Sequence, residues 1–263
     1  MSSKSTVIIM AGGMGKRMYS DLPKVLHKIG DVPMLVRVVR EATAIDPERI
    51  LIVVGKYKDV IEETLSKYVS LDNIEFIIQE EAQGTGHAIL CCREALLSIS
   101  NSGTNVLILS GDTPLVKSST MRDMLMTTKN VNVAVTVLDN PHGYGRIVEK
   151  TDVFEKITEE KDCTDEERVI RKINCGMYAF NANLLCTYLP RLKNDNAQKE
   201  YYLTDMIQII KENEQTVVNT YEIPQNRQFE LKGVNTREQL AELEQYVTPS
   251  SFEKHGKSDN WML

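Results

Sequence analysis

An α/β protein is predicted from this chain: a mostly parallel sheet with helices on both faces, joined by a smaller mixed-sheet lobe. Three observations carry the prediction. Four short β-branched runs in the first half are each followed by an amphipathic pattern. A glycine-rich loop leaves the first run directly. Beyond residue 134 the rhythm changes to successive strand-like runs.

The first strand spans residues 7–10. After the loop, Pro33 suits a first helical turn, and Leu35, Val38, Val39 and Ala42 form one apolar face. Strand 50–54 precedes a helix with Val60, Ile61, Leu65 and Tyr68 on one side. Strand 74–79 precedes one with Ala88, Cys91, Cys92 and Ala95, and strand 106–110 completes the set. The βαβα order implies parallel pairing and puts function at the carboxyl ends of the strands. Runs 133–138, 146–150 and 171–180 follow, interrupted by a charged stretch, then a helix over about 203–211. Thr236 with Gln239 has the form of a capping box, opening a helix with Leu240, Leu243 and Val247 on one face. Residues 248–263 show little periodicity and are expected to be a loose appendage.

Composition narrows the class of function. In 263 residues no apolar run approaches the roughly 18 that a membrane span needs. The short apolar run after Met-Ser-Ser-Lys-Ser is too brief for a signal peptide, so a soluble, cytoplasmic protein is expected. Five cysteines, odd in number and without C-x-x-C, suggest neither a disulfide framework nor a zinc site. A net charge of −6 argues against a nucleic-acid surface, so any anionic ligand must be held by a local device.

The loop "AGGMGKRMYSDLPKVL" is that device. Glycines at a strand end let several backbone N–H groups converge on an anion. A plain tight turn would also use Gly12, Gly13 and Gly15, but Arg17 adds a planar fork and Lys24 a point charge, which together favour phosphate. The P-loop and the dinucleotide fingerprint are both near misses: Met10, Arg17 and Met18 stand where those motifs need other residues.

The stretch "MAGGMGKRMYSDLPKVLHKIG" resembles the opening of the sugar-1-phosphate nucleotidyltransferases, in particular the uridyltransferase domain of N-acetylglucosamine-1-phosphate uridyltransferases. "QEEAQGTGHA", "GDTPLV", "GYGRIVE" with "INCGMYAF", and "NDNAQKEYYLTD" with "GVNTREQL" fit the same group, colinearly over residues 6 to about 247. The resemblance implies a Rossmann-like nucleotide-diphospho-sugar transferase fold. Its nucleotide-binding half covers about 5–133, an inserted sugar-binding lobe about 134–232, and a closing loop and helix 233–247.

The implied reaction is attack by the sugar phosphate of N-acetylglucosamine-1-phosphate on the α-phosphorus of UTP, expelling pyrophosphate. The nucleophile is already ionised, so no general base is needed. The four histidines, His27, His87, His142 and His255, form no Ser-His-Asp pattern and read as packing or capping residues. With about four negative charges on UTP, electrostatic stabilisation must dominate. Lys24 is assigned to the α-phosphate and Arg17 to the departing pyrophosphate. By resemblance Met10, Ala11, Gly12, Gly13 and Gly15 in the loop, and Gly111 before Asp112, bind the nucleotide. By resemblance Asp112 and Asn235 hold Mg²⁺, which favours one or two protein oxygens completed by phosphates and water. Gln79, with Gly84 and Thr85, matches the base-reading positions, where a side-chain amide can meet uracil's paired carbonyl and N–H. Gly145, Glu159 and Asn174 match the sugar-binding positions. Glu160 is the alternative to Glu159, and Tyr201, Tyr202 and Thr204 are expected around the sugar, one tyrosine at least as core.

Two departures stand out: Ser110 replaces a common tyrosine, and Gly12 a usual alanine. The residues after 247 are too few for the hexapeptide β-helix of bifunctional relatives, so acetyl transfer and the trimer it organises are not expected. A homo-oligomer of another kind remains open. So do a nucleotidyltransferase of different base or sugar and a noncatalytic sugar-nucleotide sensor, although the short Arg17-to-Lys24 interval disfavours thymidylyl transfer and "GTGHA" disfavours cytidylyl transfer.

Overall fold

A computed structural model describes residues 4–13, 15–100 and 103–247; the appendage expected over 248–263 lies outside them. In chain order the described residues form strands β1 (Ser5–Met10), β2 (Lys28–Ile29), β3 (Val32–Pro33), β4 (Arg49–Val54), β5 (Ile74–Ile78), β6 (Asn105–Ser110), β7 (Val131–Val137), β8 (Arg146–Lys150), β9 (Val153–Thr158), β10 (Lys172–Asn181) and β11 (Asn219–Glu222). The helices are α1 (Met34–Thr43), α2 (Lys58–Ser66), α3 (Thr85–Cys91), α4 (Arg93–Leu97), α5 (Ser118–Thr127), α6 (Asp165–Arg168), α7 (Ala182–Tyr188), α8 (Leu203–Glu214) and α9 (Arg237–Glu244).

A sheet covered on both faces needs strands with continuous apolar runs, and residues 7–10 of β1, 50–54 of β4 and 106–109 of β6 supply them. Val7 and Ile9 enter one core cluster while Ile8 enters the other; Ile50, Ile52 and Val54 alternate likewise with Leu51 and Val53. On the first face pack α1, α2 and α5, and on the second α3, α4, α7 and α8. Each fully buried Ile or Leu in these strands contributes about 1.5–3 kcal/mol relative to exposure. The sheet runs β11-β7-β10-β6-β1-β4-β5. Neighbours β6, β1, β4 and β5 are parallel, and β10 lies antiparallel between β6 and β7.

The second half continues the same sheet. Strands β7, β10 and β11 extend the central sheet, and only the β8–β9 hairpin leaves it, held to β10 where Ile173 faces Arg146. The register of β10 shifts between Asn174 and Tyr178, and Gly176 in that interval has a φ of +72°. This irregularity lets one long strand serve two pairings, a device that local sequence does not reveal.

Other differences are local. Helix α1 begins at Met34, because Pro33 pairs with Lys28 in the β2–β3 hairpin. Val60 is exposed, so α2 buries only Ile61 and Leu65. The third helical pattern is broken at Cys92 into α3 and α4. The capping box of α9 is present, with Thr236 accepting from Gln239. No helix among the described residues is long and apolar enough to cross a membrane.

A third, small core joins Met18, Ile29, Met34 and Leu115 to Val234 and Leu243. Arg237 reinforces it by donating to the carbonyls of Met18 and Tyr19, both at 2.9 Å. The chain's closing segment is thereby clamped onto the exit of the glycine loop.

Candidate active site

Strand β1 ends at Met10, and the N–H of Ala11 still donates to Val53 at 2.8 Å before the chain turns away. Beyond it, the N–H groups of Gly12 and Gly13 make no hydrogen bond among the described residues. Gly15 has a φ of +60°, and a Cβ there would lie 2.5 Å from Cβ of Lys24. Only glycine lets the Lys24 stem pass beneath the loop. Gly111 is constrained too, since its Cβ would sit 3.1 Å from the Met10 carbonyl.

An open cleft at the carboxyl ends of the parallel strands is lined by Met10, Ala11, Gly12, Gly13, Gln79, Gly84 and Thr85, together with Lys24 and Asp112. Nine of the residues expected from sequence thus share one cavity. Arg17 does not line it: the residue is exposed on the 3₁₀ turn Lys16–Met18 and makes no ion pair among the described residues. Ser110 and Glu200 do line it, and neither was singled out as a functional side chain.

Three distant segments meet on one charge. The Lys24 ammonium donates to Asp112 Oδ2 and, at 3.0 Å, to Asn235 Oδ1. Both ends of the ion pair are largely shielded, with side-chain exposures of 11% and 16%. The other Asp112 oxygen accepts from the Ser110 hydroxyl at 2.7 Å. Ser110 therefore orients the carboxylate, and its i, i+2 spacing at a strand end was the available signal. Asn235 is held by its neighbours: Val234 N–H donates to the Asp112 carbonyl at 2.9 Å, and Asn235 N–H to Gln239 at 2.7 Å.

A carboxylate oxygen and an amide oxygen thus already focus on a cation. That donor set suits a hard divalent ion, which would draw its remaining ligands from phosphates and water. Among the described residues there is no group of three or more His, Cys, Asp or Glu side chains placed to hold a metal by themselves.

Gln79, which also lines the cleft, is 7% exposed and stands one residue beyond β5. Its Nε2 lies 3.3 Å from the Gly84 carbonyl and 3.1 Å from His87 Nδ1. His87, read as packing from sequence, is thus a direct partner of the base-reading candidate. Gly84 has a φ of +105°, and a Cβ there would come within 2.5 Å of the Tyr201 carbonyl. Around it, Gly86 N–H donates to Tyr201 at 2.7 Å and Tyr201 N–H to Gln83 at 2.8 Å. Thr85 accepts through its hydroxyl from Leu203 N–H at 3.0 Å.

Gly145, Glu159 and Asn174 come together beyond that strap, outside the cleft lining. Asn174 N–H donates to the Gly145 carbonyl at 2.9 Å, and a Cβ on Gly145 would be 3.5 Å from Glu159 Oε2. Glu159 accepts from Thr204 at 2.9 Å, and burial holds its carboxyl above the usual range. Glu160 is engaged elsewhere, paired with Arg146 at 2.7 Å and Arg168 at 3.4 Å. Tyr202 is buried, donating to Asp162 at 3.1 Å. Residues 200–204 link the two regions, with Glu200 on the cleft and Thr204 on Glu159.

Residues 7–176 match the family of MobA-like NTP transferase domains. The chain is 37% identical over 249 residues to an Acanthamoeba polyphaga mimivirus protein assigned as a UDP-N-acetylglucosamine pyrophosphorylase, covering 93% of this chain and 96% of that one. It is 39% identical over 246 residues to the bifunctional protein GlmU of Prochlorococcus marinus, covering 92% of this chain but only 52% of the relative. It thus spans nearly all of the viral relative and about half of the bifunctional one. A solved UDP-glucose pyrophosphorylase superposes with a TM-score of 0.70 at 18% identity, over 93% of this chain and 98% of that one, and shares the fold.

Burial, with Glu159 and Asp162 nearby, pushes the Asp205 carboxyl up to about 6. A carboxyl raised in the folded state penalises folding once ionised, so stability is lost as pH climbs from about 4 through 6. Asp205→Asn is expected to raise the thermal midpoint at pH 8 by about 2–4 °C, roughly 1 kcal/mol after discounting partial exposure. The gain should shrink steadily on titration to pH 4; an equal gain at both ends would contradict the assignment.

Proposed function

Because the chain belongs to the family of MobA-like NTP transferase domains, we propose that it transfers a uridylyl group from UTP to N-acetylglucosamine-1-phosphate, releasing pyrophosphate and UDP-N-acetylglucosamine. The observation that carries this reading is the junction of Lys24, Asp112 and Asn235 beside a loop whose Gly12 and Gly13 N–H groups make no hydrogen bond among the described residues, with the amide-bearing Gln79 lining the same cleft as Lys24 and Asp112.

The sugar phosphate oxygen attacks the α-phosphorus in line with the departing pyrophosphate. It is ionised at neutral pH, so the chain needs to supply position and positive potential, not a base. The N–H groups of Gly12 and Gly13 and the Lys24 ammonium receive the triphosphate. Arg17, exposed where the loop opens to solvent, offers its planar fork to the terminal phosphates. Asp112 and Asn235 would hold a divalent ion, magnesium in our reading, which when bound neutralises charge on the phosphate oxygens. Lys24 donates to the same two side chains that would hold the ion, so its ammonium stands beside the place where the triphosphate charge is to be neutralised. Gln79 reads the base, and Gly145, Glu159 and Asn174 receive the sugar. The substrates are small molecules, and we place the reaction in the cytoplasm.

The direct test is pyrophosphate release with Mg²⁺, crossing four nucleoside triphosphates against the 1-phosphates of N-acetylglucosamine, glucosamine, N-acetylgalactosamine and glucose. UTP with N-acetylglucosamine-1-phosphate is expected to lead by at least tenfold. Nucleotide binding with no turnover for any pair would overturn the enzyme reading in favour of a sensor. Asp112→Ala should lower kcat by about 10²–10³-fold with the circular dichroism spectrum unchanged. Ser110→Ala should keep most of kcat at saturating Mg²⁺ while raising the half-saturating concentration about tenfold.

A further inference from the structure

A buried primary amide has nearly the same shape when turned by 180°, so sterics cannot choose which of its two ends faces a ligand; the neighbouring donors and acceptors must choose. For Gln79 the choice is made by two groups on one side. The Gly84 carbonyl, 3.3 Å from Nε2, can only accept. His87 Nδ1, the nearer at 3.1 Å, accepts when the imidazole carries its proton on Nε2. Both call for the NH₂ end, which turns Oε1 toward Gly12, where a Cβ would have come within 3.1 Å of it. Gly12 has no side chain to cover that oxygen, and Gly12 and Gln79 both line the cleft.

From this geometry we infer that His87 is a positioning residue for base selection: it holds Gln79 with its acceptor toward the nucleotide, and so selects a base that offers a ring N–H beside a carbonyl, uracil over cytosine. The inference rests on the reading of Gln79 as the base-facing side chain. Uracil donates its N3–H to Oε1. Cytosine has a lone pair at the same ring position, and two acceptors would then face each other in a desolvated site, a mismatch that excludes a substrate far more strongly than a lost contact does. His87 is itself braced. It sits in the first turn of α3, which the Tyr201 strap fixes through Gly86, and its ring lies 6.0 Å from that of Tyr201 with the planes at 33°.

Pyrophosphate release with Mg²⁺ and N-acetylglucosamine-1-phosphate is measured for UTP and CTP in four proteins: wild type, Gln79→Leu, His87→Leu and His87→Asn. His87→Leu keeps bulk but removes the acceptor, and should cut the UTP-to-CTP ratio of kcat/KM at least tenfold, chiefly through KM for UTP. His87→Asn, whose Oδ1 can stand where Nδ1 stood, should restore most of the ratio. A merely structural histidine would lower both nucleotides alike and leave the ratio untouched, which would overturn the inference. If Gln79→Leu also leaves the ratio unchanged, the base-reading assignment itself falls. If Gln79→Leu collapses it and His87→Leu does not, only the role of His87 falls. Should the leucine variant fail to fold, the ¹⁵N spectrum of the wild-type imidazole decides: a proton on Nε2 and an accepting Nδ1 supports the inference, and a proton on Nδ1 overturns it.

Discussion

The site depends on bringing one ammonium, one carboxylate and one amide oxygen to a common point from three distant stretches of chain. Lys24 arrives beneath the glycine loop, Asp112 at the end of β6, and Asn235 in the closing segment. Each is held by something else: a glycine that makes room, a serine that orients, a capped helix that anchors. Such a junction is costly to desolvate and is retained where charge must be handled. Here it doubles as a clasp, because the third core and Arg237 pull the same closing segment onto the loop exit.

The sheet explains why the clasp stands where it does. Parallel strands buried on both faces deliver their carboxyl ends to one rim, so loops that follow β1, β5 and β6 can face a single ligand. At that rim, close approach decides residue identity. Gly15 and Gly84 sit at positive φ with a neighbour at 2.5 Å from where a Cβ would be, and each admits a close partner: the stem of Lys24 in one case, the Tyr201 strap in the other. Residues 200–204 carry the organisation onward, touching the cleft with Glu200 and the lobe carboxylate with Thr204. The cleft and the Gly145–Glu159–Asn174 group are therefore joined through one short segment.

Much of this was legible beforehand. Apolar continuity marked β1, β4 and β6, because burial on both faces leaves no polar alternation to obscure the pattern. The capping box at Thr236 is a local motif, and it formed as written. Lys24 follows a proline at the far side of the glycine loop, Asp112 and Gln79 stand at strand ends, and all three line the cleft. Less was visible for Arg17, whose position depends on how a short 3₁₀ turn orients its side chain. The roles of Ser110 and His87 were hidden because each acts through a partner, Asp112 or Gln79, and a residue that works through another carries no motif of its own.

By itself, then, the sequence determined the strand and helix order, the phosphate-seeking character of the loop, and which side chains have the chemistry to handle an anionic nucleotide. These follow from local periodicity, backbone freedom and side-chain charge, all of which are properties of short segments. Only the tertiary structure decided that the later strands extend the same sheet, that Glu159 faces Gly145 and Asn174 while Glu160 is engaged by Arg146, and that His87 lies against the Gln79 amide. Strand pairing is set by partners far away in the chain, while the ion pair and the amide contacts depend on how a strand turn or a helix brings nearby residues back, so all three come into being only when the chain folds.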